Sequence, residues 1–423
     1  MDNVILAILI FSITYLVIVI EILPKTTIAL FSATLMILFK ILTQHEAISH
    51  IDFNTIGLLI GMMIIIAIIK RTGLFQYLAI KAAKFANGDP MKILLIFAVI
   101  TAISSALLDN VTTVLLMVPV TLLITDSLEV DPTPFLITQI LASNIGGTAT
   151  MIGDPPNIMI GSATRLGFLD FVINLAPIVL IIFLIIIFII KKMYKNELSV
   201  SQKIKDKILE FDETKSLQNK KLLFKSIFVL GLTILGFGFH QILDIESALV
   251  ALFGASLLLV ISDLEPEKVL EDVEWTTIFF FTGLFVVVGG LEKVGVIESL
   301  AHYLLNLTKG NVVLMALLIL WVSAISSTII DNVPFVATMI PLIKTFEATA
   351  SLEIAPLWWA LALGSCLGGN GSLIGASANV VVAGIANKHD TPISFVSYLK
   401  VGFPLTLLMM FITSIYLYFR YLV

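Results

Sequence analysis

The chain has 423 residues, of which 58% are apolar and only 13% charged, with a mean hydropathy of +1.06; that leaves too little polar residue to coat a soluble domain of this length. The formal net charge of −5 gives no basis for a nucleic-acid partner, and a single cysteine, Cys366, excludes an intrachain disulfide and a multi-thiolate metal site. The partner the composition demands is a lipid bilayer.

In chain order, the first apolar run, 4–20, follows Asp2 and precedes Glu21. It lacks the basic start and small-residue cleavage site of a signal peptide, so it is expected to be a retained first helix. Runs at 26–42, 54–69, 135–163, 171–190, 222–243, 247–262, 275–290, 355–386 and 401–419 complete ten expected crossings. Two further runs, 91–124 and 311–345, are too long for one helix and short for two crossings with a loop, so they are expected to be re-entrant helical hairpins. Stretches 72–88 and 291–309 are mildly amphipathic and predict interfacial helices framing the hairpins. Trp358 and Trp359 read as an interfacial anchor at a span end. The five histidines have no metal-ligand spacing, and no P-loop is present, so ATP is not this chain's direct energy source.

The hairpin segment "SSALLDNVTTVLLMVP" (104–119) recurs as "SSTIIDNVPFVATMIP" (326–341), with eight identities in sixteen positions at an offset of 222 residues. The same offset sets "SNIGGTATMIGDPPN" (143–157) on "SCLGGNGSLIGASAN" (365–379), and Thr55, Ile56 and Gly61 on Thr277, Ile278 and Gly283. One ungapped offset across three blocks marks an internal duplication. Residues 191–225 carry ten lysines against five acids, and Lys70, Arg71, Lys81, Lys84 and Lys92 follow the third crossing, so both regions are expected on the cytoplasmic side. An odd number of crossings per half then turns the second copy upside down. The expected organisation is an all-α polytopic membrane protein of two inverted repeats, 1–190 and 222–423, joined by a solvated cytoplasmic linker, 191–221. Each repeat contributes a re-entrant hairpin (91–124; 311–345) and a broken helix (135–163; 355–386), the pattern of secondary transporters whose site lies between the repeats.

The residues that carry chemistry lie at the hairpin tips and in the breaks. Asp109 and Asp331, followed by Asn110 and Asn332, sit at the tips. An ionised carboxylate at that depth costs several kcal/mol unless it faces water, binds a cation or holds a proton. A second reading makes each aspartate the cap of the next helix. Ser104 and Ser105, with Ser326 and Ser327, stand one to two turns upstream and offer hydroxyl ligands. Thr112 is without a counterpart, since Pro334 and Phe335 follow the second tip. The breaks contribute Asn144, Gly146, Gly147, Thr148, Asp154 and Asn157 in the first half, and Ser365, Gly368, Gly369, Asn370 and Asn379 in the second. Irregular backbone at membrane depth is tolerated only where it lines a cavity or is buried in protein. Asp154 has no acidic counterpart, Ala376 standing at its place. No Lys or Arg occurs in 93–164 or 310–343, so the cavity is expected to hold three acids and no base, suiting a proton or cation. Asp109, Asp331 and Asp154 are the proton-coupling candidates, and no metal or organic cofactor is expected beyond a coupling proton or sodium ion.

These motifs, "LLDNVTTVLLMVPVT", "NIGGTATMIGDPPN", "VEWTTIFFF", "IIDNVPFVATMIP" and "CLGGNGSLIGASANVV", resemble the arsenite permease and P-protein branch of the ion transporter superfamily, over nearly the whole chain. That branch includes sodium/proton antiporters and is distantly related to the sodium-coupled dicarboxylate carriers. The resemblance implies an elevator-type transporter, a homodimer, and functional positions at the two Asp-Asn tips and the glycine-rich breaks. The Ser-Asn-Thr tip that binds sodium in the dicarboxylate carriers reads Asp109, Asn110, Val111 and Asp331, Asn332, Val333 here.

The expected function is therefore secondary active transport of a small inorganic ion across the inner or plasma membrane, as an arsenite or anion permease coupled to protons and not as an enzyme. Sodium/proton antiport is the alternative within transport, a dicarboxylate or citrate carrier a lesser one, and a non-transporting membrane subunit the alternative from another class. The sequence leaves open whether a soluble ATPase associates.

Overall fold

A computed structural model describes residues 3–20, 22–164, 166–350 and 354–422; Asp2 and Glu21, which bracket the first run, lie outside the described residues. The first half comprises α1 (Asn3–Ile20), α2 (Lys25–Leu38), α3 (Gln44–Ser49), α4 (Phe53–Lys70), α5 (Leu74–Phe85), α6 (Pro90–Leu107), α7 (Asn110–Leu128), α8 (Thr133–Thr148), α9 (Pro155–Ala163) and α10 (Phe168–Met193). A short helix, α11 (Gln202–Leu209), leads to the second half: α12 (Lys220–Phe239), α13 (Ser247–Ser262), α14 (Pro266–Glu271), α15 (Trp275–Lys293), α16 (Val296–Thr308), α17 (Val312–Ile329), α18 (Asn332–Ala350), α19 (Ala355–Gly368), α20 (Ser377–Lys388) and α21 (Phe395–Leu417). No strand occurs among the described residues.

The 222-residue offset holds at the level of elements. It carries α3 onto α14 and α6 onto α17 residue for residue, and the starts of α2, α4, α5, α7, α8 and α9 onto those of α13, α15, α16, α18, α19 and α20. The same local chemistry sets the boundaries in both copies. Asp89 caps α6 by accepting from the Lys92 amide, and Asn311 caps α17 by accepting from Leu314. Gly73 and Gly295, both at φ +78°, turn the left-handed corners before α5 and α16.

Among the described residues nine helices are long and apolar enough to cross a bilayer, namely α1, α4, α6, α7, α10, α12, α15, α17 and α21 with its terminal turn. Six of these, α1, α4, α10, α12, α15 and α21, fall on expected crossings. Three of the nine are hairpin legs; an 18-residue leg is about 27 Å long, close to the ~30 Å hydrocarbon core. Helices α2 and α13 are shorter apolar helices, and both broken helices fall into two short pieces.

The halves are packed into each other. Helix α4 lies along α13 and α15 along α2. A Cβ placed on Gly61 would stand 2.6 Å from the Ala251 carbonyl carbon, and one on Gly283 would stand 2.6 Å from that of Ala29, an equivalent pair at the same offset. Just past the end of α4, Arg71 pairs with Asp272 at 2.7 Å, ahead of α15, while His50, ahead of α4, lies 3.7 Å from Glu292 at the end of α15. The two matching helices therefore run in opposite directions. The end of α21 is fastened near the start of α10, where Tyr416 and Tyr421 donate to the Asn174 carbonyl and side-chain oxygens at 2.6 Å.

The segment between the halves is largely exposed and is also anchored to the first half. It folds over the feet of α5, α6 and α7 through Lys84–Glu213 (2.7 Å), Lys205–Asp89 (3.4 Å) and Lys207–Glu129 (2.8 Å), and the Gln218 amide donates to the Thr72 carbonyl at 3.1 Å. The Lys207 ammonium holds the Glu129 carboxyl below the usual range, and Lys84 does the same for Glu213. On the opposite edge the Lys293 ammonium, with the Thr43 amide and hydroxyl, lowers Glu46 to about 2. The tryptophan pair also departs from expectation. Trp358 and Trp359 are 4% and 2% exposed, because α8, α17 and α21 enclose α19, and Trp359 meets Phe171 edge to face at 5.3 Å.

Substituting Gly61 or Gly283 by Val is expected to destabilise the protein by about 1–3 kcal/mol, the usual cost of forcing extra carbon into a filled contact. Gly231 in α12, where an added Cβ meets nothing within 4 Å, is the control, and G231A should be neutral or slightly stabilising. Thermal unfolding in detergent reads both.

Candidate functional site: a carboxylate-lined cavity between two tips

The helix breaks are chemically programmed. Pro155 and Pro156 open α9 without donors to continue α8, and Asp154 before them is extended (φ −147°, ψ 135°). In the second half Ala376 takes nearly the same conformation (φ −149°, ψ 146°) ahead of α20. Each break frees backbone carbonyls, and one asparagine closes them. The Asn157 amide donates to Thr148 O (3.1 Å) and Thr150 O (2.8 Å), and that of Asn379 donates to Gly369 O (2.7 Å) and Ser372 O (2.8 Å). The hairpins are strapped to the breaks by Thr150 Oγ1 donating to Ala106 O (2.6 Å) and Ser372 Oγ to Thr328 O (2.5 Å). Glycine is required here: a Cβ on Gly153 would lie 2.7 Å from Ser105 O, and one on Gly375 2.6 Å from Ser327 O.

Beneath the tips the halves are joined by buried amides. Asn110 Nδ2 donates to Asn144 Oδ1 at 3.1 Å, and Asn144 Nδ2 donates across to Asn370 Oδ1 (3.1 Å) and Asn379 Oδ1 (2.8 Å). At the position equivalent to Asn144 stands Cys366, whose thiol is 3.5 Å from Asn157 Oδ1. Asn332 Nδ2 reaches over to Asp154 Oδ1 at 3.3 Å.

Above this layer opens a cavity of about 590 Å³ whose polar lining includes Asp109, Asn110, Asp154, Asp331, Asn332, Ser377, Glu274 and Lys25. Both tips and the first break therefore meet in one chamber. The tips are not equivalent. Asp109 caps α7, accepting from the Thr112 amide (2.7 Å) and hydroxyl (2.6 Å). Asp331 accepts from Lys25 Nζ (2.7 Å) and Ser377 Oγ (2.6 Å) on one oxygen and from the Val333 amide (3.3 Å) on the other. Lys25 also donates to Ser377 Oγ at 2.7 Å and lies 5.0 Å from the Phe280 ring centre. Asp154 is fully buried, and its second oxygen has no hydrogen-bond partner.

The expectation of three acids and no base is overturned. Glu274 is a fourth carboxylate and Lys25 a base, both from outside the hairpin and break segments. Each sits at a helix start, Lys25 opening α2 after Pro24 and Glu274 preceding α15. The offset offered one signal, since it maps acidic Asp52 onto Glu274. Asp52 itself does not line the cavity; its carboxylate accepts from the Thr55 (2.6 Å) and Ser162 (2.7 Å) hydroxyls.

The other expected site residues are distributed unevenly. Ser105 donates to Ser143 O (2.6 Å), Ser365 bonds back to Leu361 O (2.7 Å) and Thr148 to Asn144 O (2.7 Å), so the hydrogen of each of these hydroxyls is committed to the backbone. Ser327 is buried with an unpartnered hydroxyl, whereas Ser104 and Ser326 are partly exposed. Gly146, Gly147, Gly368 and Gly369 permit close backbone approach; a Cβ on Gly368 would lie 2.6 Å from Ala324 Cα.

A protein-family model described as citrate transporter matches residues 15–364. The chain belongs to the citrate transporter family. This family member is 43% identical to an uncharacterized transporter of Mycobacterium bovis and 41% identical to a 46 kDa membrane protein of Mycobacterium leprae, in each case over 99% of both chains. It is 33% identical to the human P protein, matching 92% of this chain and spanning 57% of that longer protein. Among solved structures, the YdaH transporter of Alcanivorax borkumensis, described as having an unusual topology, superposes over 99% of this chain and 98% of its own with a TM-score of 0.59 at 13% identity, which shows a shared fold. The protein is a multi-pass membrane transporter.

Replacing Asn144 with Leu strands Asn110, Asn370 and Asn379 without their shared partner, and Asn157→Leu strands two backbone carbonyls. Each is expected to lower stability by about 1–3 kcal/mol per stranded group, read by thermal unfolding of the purified protein.

Proposed function

We propose that this family member is a proton-coupled secondary active transporter of a small inorganic solute, with the two tips and the first break as its binding chamber. The observation that carries the reading is the chamber itself, in which four carboxylates face one lysine that is already engaged with Asp331. Such a field favours protons and cations, and repels a free multivalent anion. A solute that is uncharged near neutral pH, as arsenous acid is, enters it without penalty. Free citrate, the substrate class in the family's description, carries three carboxylates and would need a bound cation to neutralise it. A second reading, sodium/proton exchange, is favoured by the fourth carboxylate, Glu274.

In this reading the halves are inverted repeats, supported by the opposed directions of α4 and α15. The hairpins α6–α7 and α17–α18 are re-entrant, the lysine-rich connection faces the cytoplasm, and the hairpins with the broken helices move as a body against α1, α2 and α4 and their counterparts. The protein works as a homodimer in the plasma membrane.

The test is purified protein in liposomes carrying an internal pH dye, challenged in turn with arsenite, sodium, chloride and citrate. Arsenite or sodium is expected to drive proton movement. D109N, D154N and E274Q should each reduce it, and D331N should bring it to the level of empty liposomes. Proton movement driven by free citrate alone, or unchanged flux in D109N and D331N, overturns the reading.

A further inference from the structure

The contact between Lys25 and the second tip adds an ion pair where elements already touch: α18 packs on α15, the Tyr15 hydroxyl of α1 donates to Pro334 O at 2.5 Å, and Ser377 Oγ donates to Asp331 at 2.6 Å. Lys25 opens α2, whose next residue is fixed to the other half by Thr26 Oγ1 donating to Thr276 O at 2.7 Å. Asp331 belongs to the α17–α18 tip and Ser377 opens α20. One ammonium therefore ties the tip and the second broken helix to the α2–α15 pair. The arrangement has no equivalent in the first half. Ser247 stands where the offset places a partner for Lys25, Pro155 stands opposite Ser377, and the oxygens of Asp109 are taken by its own Thr112.

The burial of the partners is unequal. The Asp331 side chain is 11% exposed, so leaving it ionised and alone is costly, whereas the Lys25 side chain is 34% exposed and its flexible stem reaches water through the cavity. The lysine can leave at little expense only when another cation or a proton takes over at Asp331.

We propose that Lys25 is an interlock. It holds the second tip and α20 to α2 while Asp331 has no other counter-charge, and releases them when the coupling cation arrives, so that the unloaded protein does not move. This rests on the transport reading above and adds to it the residue that prevents uncoupled slippage. The groups facing Asp331 are Lys25 from α2 and Ser377 from α20, with Asp109, Asp154 and Glu274 lining the same chamber.

The test compares wild type, K25R, K25M and K25M/D331N as full-length protein in choline chloride, by hydrogen exchange of the tip segment 328–334 and by proton leak from liposomes lacking any transported solute. The double variant carries no buried unpaired charge, so it keeps the test open should K25M fold poorly. K25M and K25M/D331N are expected to exchange the tip at least about tenfold faster than wild type, with other helices unchanged, while K25R stays protected. K25M, which retains Asp331, is expected to leak protons at least about tenfold above wild type, and K25R to remain tight. Unchanged tip exchange in both lysine-lacking proteins overturns the interlock, as does faster exchange with no leak in K25M. An unlocked tip in a protein whose wild type moves none of the solutes would leave the ion-pair lock standing and sink the transport reading instead.

Discussion

Everything in this fold depends on how a polypeptide can stop being helical at the depth of a bilayer. Breaking a helix there exposes carbonyls and amides that lipid cannot solvate, and each one left bare costs several kcal/mol. Here a single asparagine beyond each break, Asn157 or Asn379, donates both amide hydrogens to the freed carbonyls, and a hydroxyl from Thr150 or Ser372 ties the break to the neighbouring hairpin. With the backbone satisfied inside the protein, the chain can place irregular segments and acidic side chains around the cavity. The tips, the breaks and the cavity follow from that closure.

On this duplicated frame, the lining of the cavity differs where the copies disagree. The backbone contacts repeat closely, down to Gly61 on Ala251 and Gly283 on Ala29. Several side chains around the tips and breaks do not repeat: at the same offset Asp154 aligns with Ala376, Lys25 with Ser247, and Thr112 with Pro334. A symmetric shell with an asymmetric lining gives one tip a self-contained carboxylate cap and the other an ion pair reaching across the molecule.

Much of this was legible in the sequence, for reasons that can be named. The hairpins and breaks announce themselves because Asp-Asn in an apolar run and Gly-Gly followed by Pro-Pro have few explanations in lipid. The offset was readable because both copies keep the small residues that close backbone contact demands. Lys25 and Glu274 were missed because each sits at the edge of an apolar run, where a charged residue ordinarily marks only the end of a span; their convergence on the tips is a tertiary fact. The sequence offers Asn157 and Asn379 as ligands, and the structure shows their amides donating to freed carbonyls, because side-chain chemistry alone does not distinguish binding a solute from binding the chain. The buried Trp358 and Trp359 teach the same lesson, as a span end enclosed by three helices no longer meets an interface.

The segment joining the halves clasps the feet of α5, α6 and α7 with three ion pairs, two partly buried and the third, Lys207–Glu129, exposed. Attachments of that kind weaken as mobile ions shield them, with a reach of about 10 Å at 0.1 M salt and about 3 Å at 1 M. The strap is thus an ionic-strength-sensitive splint: firm in dilute buffer, slack in brine, it makes the stiffness of the first hairpin's base a property of the surrounding electrolyte as well as of the chain.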